Sequence, residues 1–192
     1  MATDTFKIAS LGVDLLETPL LISNNTMNLL AIMEDETVNV EIGDNEIVFT
    51  DTNNMVYGQV MSGIEDYQIN AINGLLDSEF DNMCKLSKQE LLQVLDRLSL
   101  FVDVYDKNSI TLDFTENDLL ISSKRTNAVE SIEYLNSEKK IDNFTCYIDI
   151  ELFRTQVKAQ VGDVVELWYG KENSIKLVND EITYIVALLG EE

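Results

Sequence analysis

The chain has 192 residues, a formal net charge of −22 and 45% hydrophobic residues. That apolar content is enough for a core and too high for a disordered acidic tail, and no apolar run approaches the roughly 20 residues of a membrane-spanning helix. Histidine is absent, which removes the commonest general base and the commonest metal ligand.

The elements follow in chain order. The N-terminal run Phe6-Lys7-Ile8-Ala9-Ser10 reads as an isolated strand. Met1-Ala2-Thr3-Asp4 before it has neither the basic region nor the apolar stretch of a signal peptide. Leu20-Leu21-Ile22 is a short apolar strand, followed by a helix with Asn25 as cap and Met27, Leu30, Ala31 and Met33 turned inward. Val38, Val40 and Ile42 then alternate with polar residues, and Gly43-Asp44-Asn45 supplies a turn into Ile47-Val48-Phe49. Ser62 to Asn82 carries Glu65, Asp66, Asp77, Glu79 and Asp81, has no basic residue and shows no clear period, so it reads as a connector.

The pattern then repeats. Met83-Cys84-Lys85-Leu86 opens a second strand, and Ser87 with Glu90 three residues on forms a capping box for a helix whose apolar stripe is Leu91, Val94, Leu95 and Leu98. Ile110, Leu112 and Phe114 alternate, Glu116-Asn117-Asp118 turns, and Leu119-Leu120-Ile121 returns. Phe144 to Ile148 opens a third copy, Asp149 caps its helix, and Phe153, Val157 and Val161 form its stripe. Val165, Leu167 and Tyr169 alternate, Gly170 to Asn173 turns, and Ile175 to Val178 returns. A unit of strand, helix and three strands thus occurs three times, from about Pro19 to Met61, Met83 to Leu135 and Phe144 to Leu189. The expected fold class is α+β, with one-sided helices packed on one face of antiparallel sheets. The expected division is a half domain at 1–61, an acidic connector at 62–83 and a complete domain at 84–192.

Chemistry is sparse. Ser10 and Ser99 have no base in any motif, and no Gly-rich phosphate loop occurs. Asp44, Glu46 and Asp51 read as a solvated hairpin rim and not as a metal cluster. Cys84 and Cys146 lie in strand patterns and read as buried thiols of a reducing compartment. No enzyme activity, cofactor or metal is expected. Lys88, Arg97, Arg154 and Lys158 sit off the apolar stripes of two helices, whereas no Lys or Arg occurs between Lys7 and Lys85. Four cations alone do not make a phosphate-binding patch.

The ordered set of segments resembles the bacterial DNA polymerase III beta subunit, the sliding-clamp family. Ala2-Thr3-Asp4-Thr5-Phe6-Lys7-Ile8-Ala9 resembles the A-T-D-x-h-R-L-A strand of its middle domain. Met61 to Tyr67 resembles its connector, Leu86 to Phe101 the first helix of its last domain, and Ile182 to Leu189 its final strand. The chain departs from the family where Glu65 replaces a proline and where Ala187-Leu188-Leu189-Gly190-Glu191-Glu192 replaces Met-Pro-x-(Arg/Lys)-Leu.

The resemblance implies a DNA-clamp fold, with sheets outside, helices lining a hole and duplex DNA passing through without base readout. It implies that Lys88, Arg97, Arg154 and Lys158 face DNA. It also implies a pocket for short peptides of polymerase, clamp loader or repair proteins, walled by Thr3, Lys7 and Ile8 on one strand and Tyr184, Ile185 and Val186 on another. A cytoplasmic homo-oligomer is expected. Three units are half of a clamp chain, so the sequence is either the C-terminal piece of a longer clamp or a short clamp, four of which complete a ring of twelve units. The acidic charge and the cation-free first unit keep open a second reading, an interaction protein of clamp-like fold that sequesters peptides and never encircles DNA.

Overall fold

Each copy forms a helix followed by three strands, and the differences from its pattern lie in the first strands, in the helix of the first copy and at the end of the helix of the third. The computed structural model describes residues 2–3, 7–11, 20–63, 68–102, 108–115, 118–123, 128–133, 136–137, 143–170, 173–179 and 182–190. In chain order, strands β1 (Ala2–Thr3) and β2 (Lys7–Leu11) precede helix α1 (Asn24–Leu29), which ends in a 3-10 turn at Leu30–Ile32. Strands β3 (Asn39–Ile42), β4 (Glu46–Thr50) and β5 (Met55–Gln59) close the first copy, and helix α2 (Ile69–Leu76) follows. The second copy comprises β6 (Asn82–Ser87), α3 (Lys88–Leu98), β7 (Ser109–Phe114), β8 (Asp118–Ser123) and β9 (Ala128–Glu133), with a short β10 (Asn136–Ser137) after it. The third comprises β11 (Phe144–Asp149), α4 (Ile150–Ala159), β12 (Val164–Tyr169), β13 (Ser174–Val178) and β14 (Ile182–Ala187). The turn residues Glu116, Asn117, Lys171 and Glu172, the connector residue Glu65 and the terminal Glu191-Glu192 lie outside the described residues.

The chain divides into two compact units, Met1–Val13 with Ile72–Glu192, and Asp14–Ala71. The sequence reading cuts at 61 and 83. The difference at the N-terminus arises because β2 hydrogen-bonds to β14, and the difference at the connector arises because α2 occupies part of it. All pairings are antiparallel, in sheets ordered β1-β2-β14-β13-β12-β6-β10, β11-β7-β8-β9 and β3-β4-β5.

In the larger unit the opening strands are exchanged. β6 begins the second copy yet pairs with β12 of the third, and β11 begins the third yet pairs with β7 of the second. The registers correspond residue for residue: Cys84 faces Leu167, and Cys146 faces Leu112. Leu91, Val94, Leu95 and Leu98 of α3 and Ile150, Phe153 and Val157 of α4 fill one core with the inward residues of both sheets. Phe114 and Tyr169, each the last residue of its strand, stack across that core with ring centroids 3.8 Å apart. Both cysteines are buried there, and burial pushes both thiols up, Cys146 to about 12. The caps at Ser87 and Asp149 form as expected, each side chain accepting a backbone N–H of the first turn. Val161, expected in the α4 stripe, is exposed because the helix stops at Ala159; Gln160 is buried instead.

The smaller unit departs further from expectation. Its cap is Ser23, which accepts the Thr26 N–H, and not Asn25. Met27 and Ala31 are exposed and Leu30 and Met33 only half-buried; the buried residue of α1 is Thr26. The reason is the close approach of α1 to β5, where a Cβ on Gly58 would lie 2.4 Å from Thr26 Cγ2. Ile47 and Val56 are buried on the same side of the sheet. Asp51 holds the β4–β5 turn through the N–H groups of Glu34, Asn53 and Asn54, which together hold its carboxyl down at about 2. Gly58→Ala is expected to destabilise this unit by about 1–3 kcal/mol, measured as an earlier urea transition. Combining it with Thr26→Ser should recover part of the loss by removing the methyl group, and an unchanged midpoint for the single variant would contradict the close approach.

Candidate partner-binding and nucleic-acid surfaces

The helix layer of the larger unit carries the four cations that the sequence singles out, and their surroundings differ. Lys88 is the first residue of α3. Its backbone N–H donates to Asp163 O at 2.8 Å, and its ammonium donates a short bond to Gln160 O beyond the end of α4. This pins the start of α3 to the end of α4. Arg154 bridges the same helices further along, donating from Nη1 to Asp96 Oδ1 at 3.0 Å and from Nη2 to Glu151 Oε2 at 2.8 Å. The two contacts fix an antiparallel helix pair. Arg97 and Lys158 are exposed in the last turns of α3 and α4, where a cation also suits the helix dipole. Lys88 and Arg154 thus tie α3 to α4, and the side chains of Arg97 and Lys158 are exposed. The buried Gln160 amide beside Lys88 has no hydrogen-bond partner among the described residues.

The second surface is the end of the long sheet. The register places Ile8 opposite Ile185, Lys7 opposite Val186, and Thr3 opposite Ile8. The six predicted pocket residues are therefore brought together, but they divide between two faces of the sheet. Tyr184 and Val186 belong to the core under the helices. Ile8 and Ile185 lie on the other face, in one row with Lys176, Trp168 and Met83. The side chains of Thr3 and Lys7 lie outside the described residues.

That outer face is apolar yet largely covered. Ile8 is 7% and Ile185 3% exposed, and Phe80 and Met83 are also buried. Lys176 crosses the face: its ammonium donates to Leu76 O at the end of α2 at 2.9 Å and lies 5.9 Å from the Phe80 ring centroid. Trp168 donates to Glu166, which pairs with Lys85 at 3.5 Å. Sequence reasoning missed Lys176, Phe80 and α2. The signal was present in Ile69, Ile72, Leu75 and Leu76, which recur at helical spacing in an uncharged run.

No family model matches the chain, and no curated protein matches it either. Solved structures do. The chain superposes over its whole length on the DNA polymerase III beta subunit of Borrelia burgdorferi (TM-score 0.84, 18% identity, 52% of that chain). It does so equally on the sliding clamp of Bacillus subtilis (TM-score 0.83, 16% identity, 53% of that chain). The beta subunit of Streptococcus pyogenes matches 99% of the chain at a TM-score of 0.82 and 16% identity, over 54% of its own length. The chain has the α+β sliding-clamp fold and spans about half the length of these solved clamps.

Lys88→Met keeps the aliphatic stem and leaves the Gln160 carbonyl without its charged donor. The expected result is a loss of about 1–3 kcal/mol in urea denaturation. Unchanged stability would show that the contact contributes nothing to the helix pair.

Proposed function

We propose that the chain is a DNA sliding-clamp processivity factor, or the half of one that carries the partner-binding edge. In this reading it is a cytoplasmic, non-enzymatic homo-oligomer that encloses duplex DNA without reading bases. It takes short peptides of polymerase, loader or repair proteins at the end of its long sheet. The single observation that carries the reading is the superposition of the entire chain on solved sliding clamps at TM-scores of 0.82–0.84. In functional terms 1–61 is the half domain, 62–83 the connector and 84–192 the complete domain.

The charges suit a sliding contact and not a tight one. Phosphates attract Lys and Arg in proportion to the number neutralised, with a salt slope of about 0.9 per phosphate. In this reading Arg97 and Lys158, exposed in the last turns of α3 and α4, are among the cations that meet phosphates. Arg154 meets them only by exchanging Asp96 or Glu151 for a phosphate oxygen. That exchange is inexpensive, because exposed ion pairs contribute about 0–1 kcal/mol. A second reading is favoured by the net charge of −22 and by the absence of any cation from residues 8–84. In it the same fold captures clamp-binding peptides and never encloses DNA.

Retention on nicked circular DNA separates the two readings. A clamp stays on the circle and is lost when the DNA is linearised; equal loss from both forms would exclude enclosure. Arg154→Glu with Lys158→Glu should shorten retention, and Asp96→Asn should lengthen it by releasing Arg154. No response to either change would remove the α3–α4 layer from the DNA-facing surface.

The peptide site is tested separately. A labelled peptide with one leucine and one aromatic anchor should bind in solution, and Ile8→Ala should weaken it by about tenfold, the scale of a single buried anchor. Equal affinity of the variant would exclude the outer face beside Ile185 as the site.

A further inference from the structure

The middle of the long sheet holds a lysine where its neighbours are apolar. β13 is the fourth of seven strands. On the outer face the register sets Lys176 between Trp168 and Ile185, with Met83 beyond the tryptophan and Ile8 beyond the isoleucine. The lysine is half-buried, and its ammonium donates to Leu76 O at 2.9 Å and lies 5.9 Å from the centroid of the Phe80 ring. An ammonium in such a row is costly to desolvate unless it is paired.

The chain does not pair it with an acid. It has 35 acidic residues, yet among the described residues no carboxylate is an ion-pair partner of Lys176, while Lys85 has Glu166 and Arg154 has Asp96 and Glu151. Glu166 is the acid placed to serve, two residues from Trp168 and on the same face. Both its oxygens are taken: Oε1 accepts from Trp168 Nε1 at 2.9 Å, and Oε2 lies 3.5 Å from Lys85 Nζ. Asp77 and Glu79 adjoin Leu76 and Phe80 in sequence and are exposed. What Lys176 has is a carbonyl at the end of α2, which offers about half a negative charge at most.

We propose that Lys176 sets the specificity of the outer-face peptide site. The ammonium leaves Leu76 O for a side-chain carboxylate of the bound peptide, beside the apolar anchor that rests on Ile8 and Ile185. This role rests on the peptide site of the proposed function and adds the chemistry of its ligand, an acidic peptide. A carboxylate brings a full charge where the carbonyl brings part of one, in a partly desolvated site where attraction at short range is strong. The exchange also undoes the contact that ties the C-terminal end of α2 to the sheet. Recognition of the acid and release of that end are then one event.

The net charge of the molecule makes such a preference diagnostic. At −22 the chain repels an acidic peptide at long range, so a preference for glutamate over glutamine has to arise locally, at a cation. Lys85, two residues from Met83 on the same face, is already neutralised by Glu166. Lys176 meets only a neutral acceptor among the described residues.

Fluorescence anisotropy of the full chain with labelled, C-terminally amidated peptides provides the test. Each peptide carries one leucine and one aromatic anchor. A single glutamate is walked through the positions between and beside them, each against its glutamine counterpart. At one position glutamate should bind about tenfold tighter than glutamine. Lys176→Met should erase that difference and leave the glutamine peptide bound at least as tightly, because the end of α2 is no longer tied. A merely structural role would weaken both peptides alike. Lys176→Glu should invert the preference, accepting lysine at that position and rejecting glutamate. Equal affinities at every position overturn the proposal. So does a preference that survives Lys176→Met, or one that follows a free C-terminal carboxylate in place of the side chain. If glutamate and glutamine are equal while Ile8→Ala weakens both, the peptide site stands without this role of Lys176. If no peptide binds, or Ile8→Ala changes nothing, the site falls and this role falls with it.

Discussion

The exchange of first strands between adjacent copies is the constraint on which the larger unit depends. A strand of six residues beside its own helix cannot bury both its edges and its apolar face. β6 and β11 solve this by crossing to the neighbouring sheet, each in a register that sets a buried cysteine against a buried leucine. The crossing ties the two sheets and both helices to one core, and its midpoint is the stack of Phe114 on Tyr169. Neither copy then has a core of its own, so the domain folds as a pair or leaves apolar surface exposed. The smaller unit is that second case: its one close helix–sheet approach, Thr26 on Gly58, covers Ile47 and Val56 and leaves Val40 and Ile42 uncovered.

The same pairing governs the electrostatics of the helix layer. Two antiparallel helices need something to fix their relative position, and here the fixing groups are cations. Lys88 holds one end through a backbone carbonyl of the α4 end, and Arg154 of α4 reaches Asp96 of α3 while also pairing with Glu151 of its own helix. Both functions draw on the small stock of basic residues available to meet phosphates.

Much of this was legible in the sequence. Alternation marked β7 and β12, and the four-residue stripes with Ser87 and Asp149 before them marked α3 and α4, because in those elements local pattern and final burial agree. The first copy misled for a physical reason. Met27, Leu30, Ala31 and Met33 have helical spacing, but the close approach of Thr26 to Gly58 turns a different face of α1 to the sheet, so pattern and burial disagree. Strand exchange was not legible, since sequence order says nothing about which sheet a first strand joins. The contacts by which Lys88 and Arg154 tie α3 to α4 are a tertiary fact, set by Gln160 and Asp96, and no local pattern announces them. The strands that carry the six residues proposed for a pocket are neighbours in one sheet, and the division of Ile8 and Ile185 from Tyr184 and Val186 between its two faces follows from the pleat once the β2–β14 register is known.

The outer face of the long sheet gives that register its consequence. An apolar row open to water on an outer face would be a liability, and Ile8 and Ile185 are buried there, as are Phe80 and Met83. One described contact ties α2 to the sheet, through a lysine. The stem of Lys176 continues the row across the sheet, and its ammonium occupies the carbonyl end of α2 where the helix dipole favours a cation. Such a contact is polar, partly exposed and individually weak, so α2 is attached without being built into the core. The run Ile69–Leu76 carries no charge and buries no residue of its own, and charged residues resume at Asp77, so the contact with Lys176 is the described tie between this helix and the sheet.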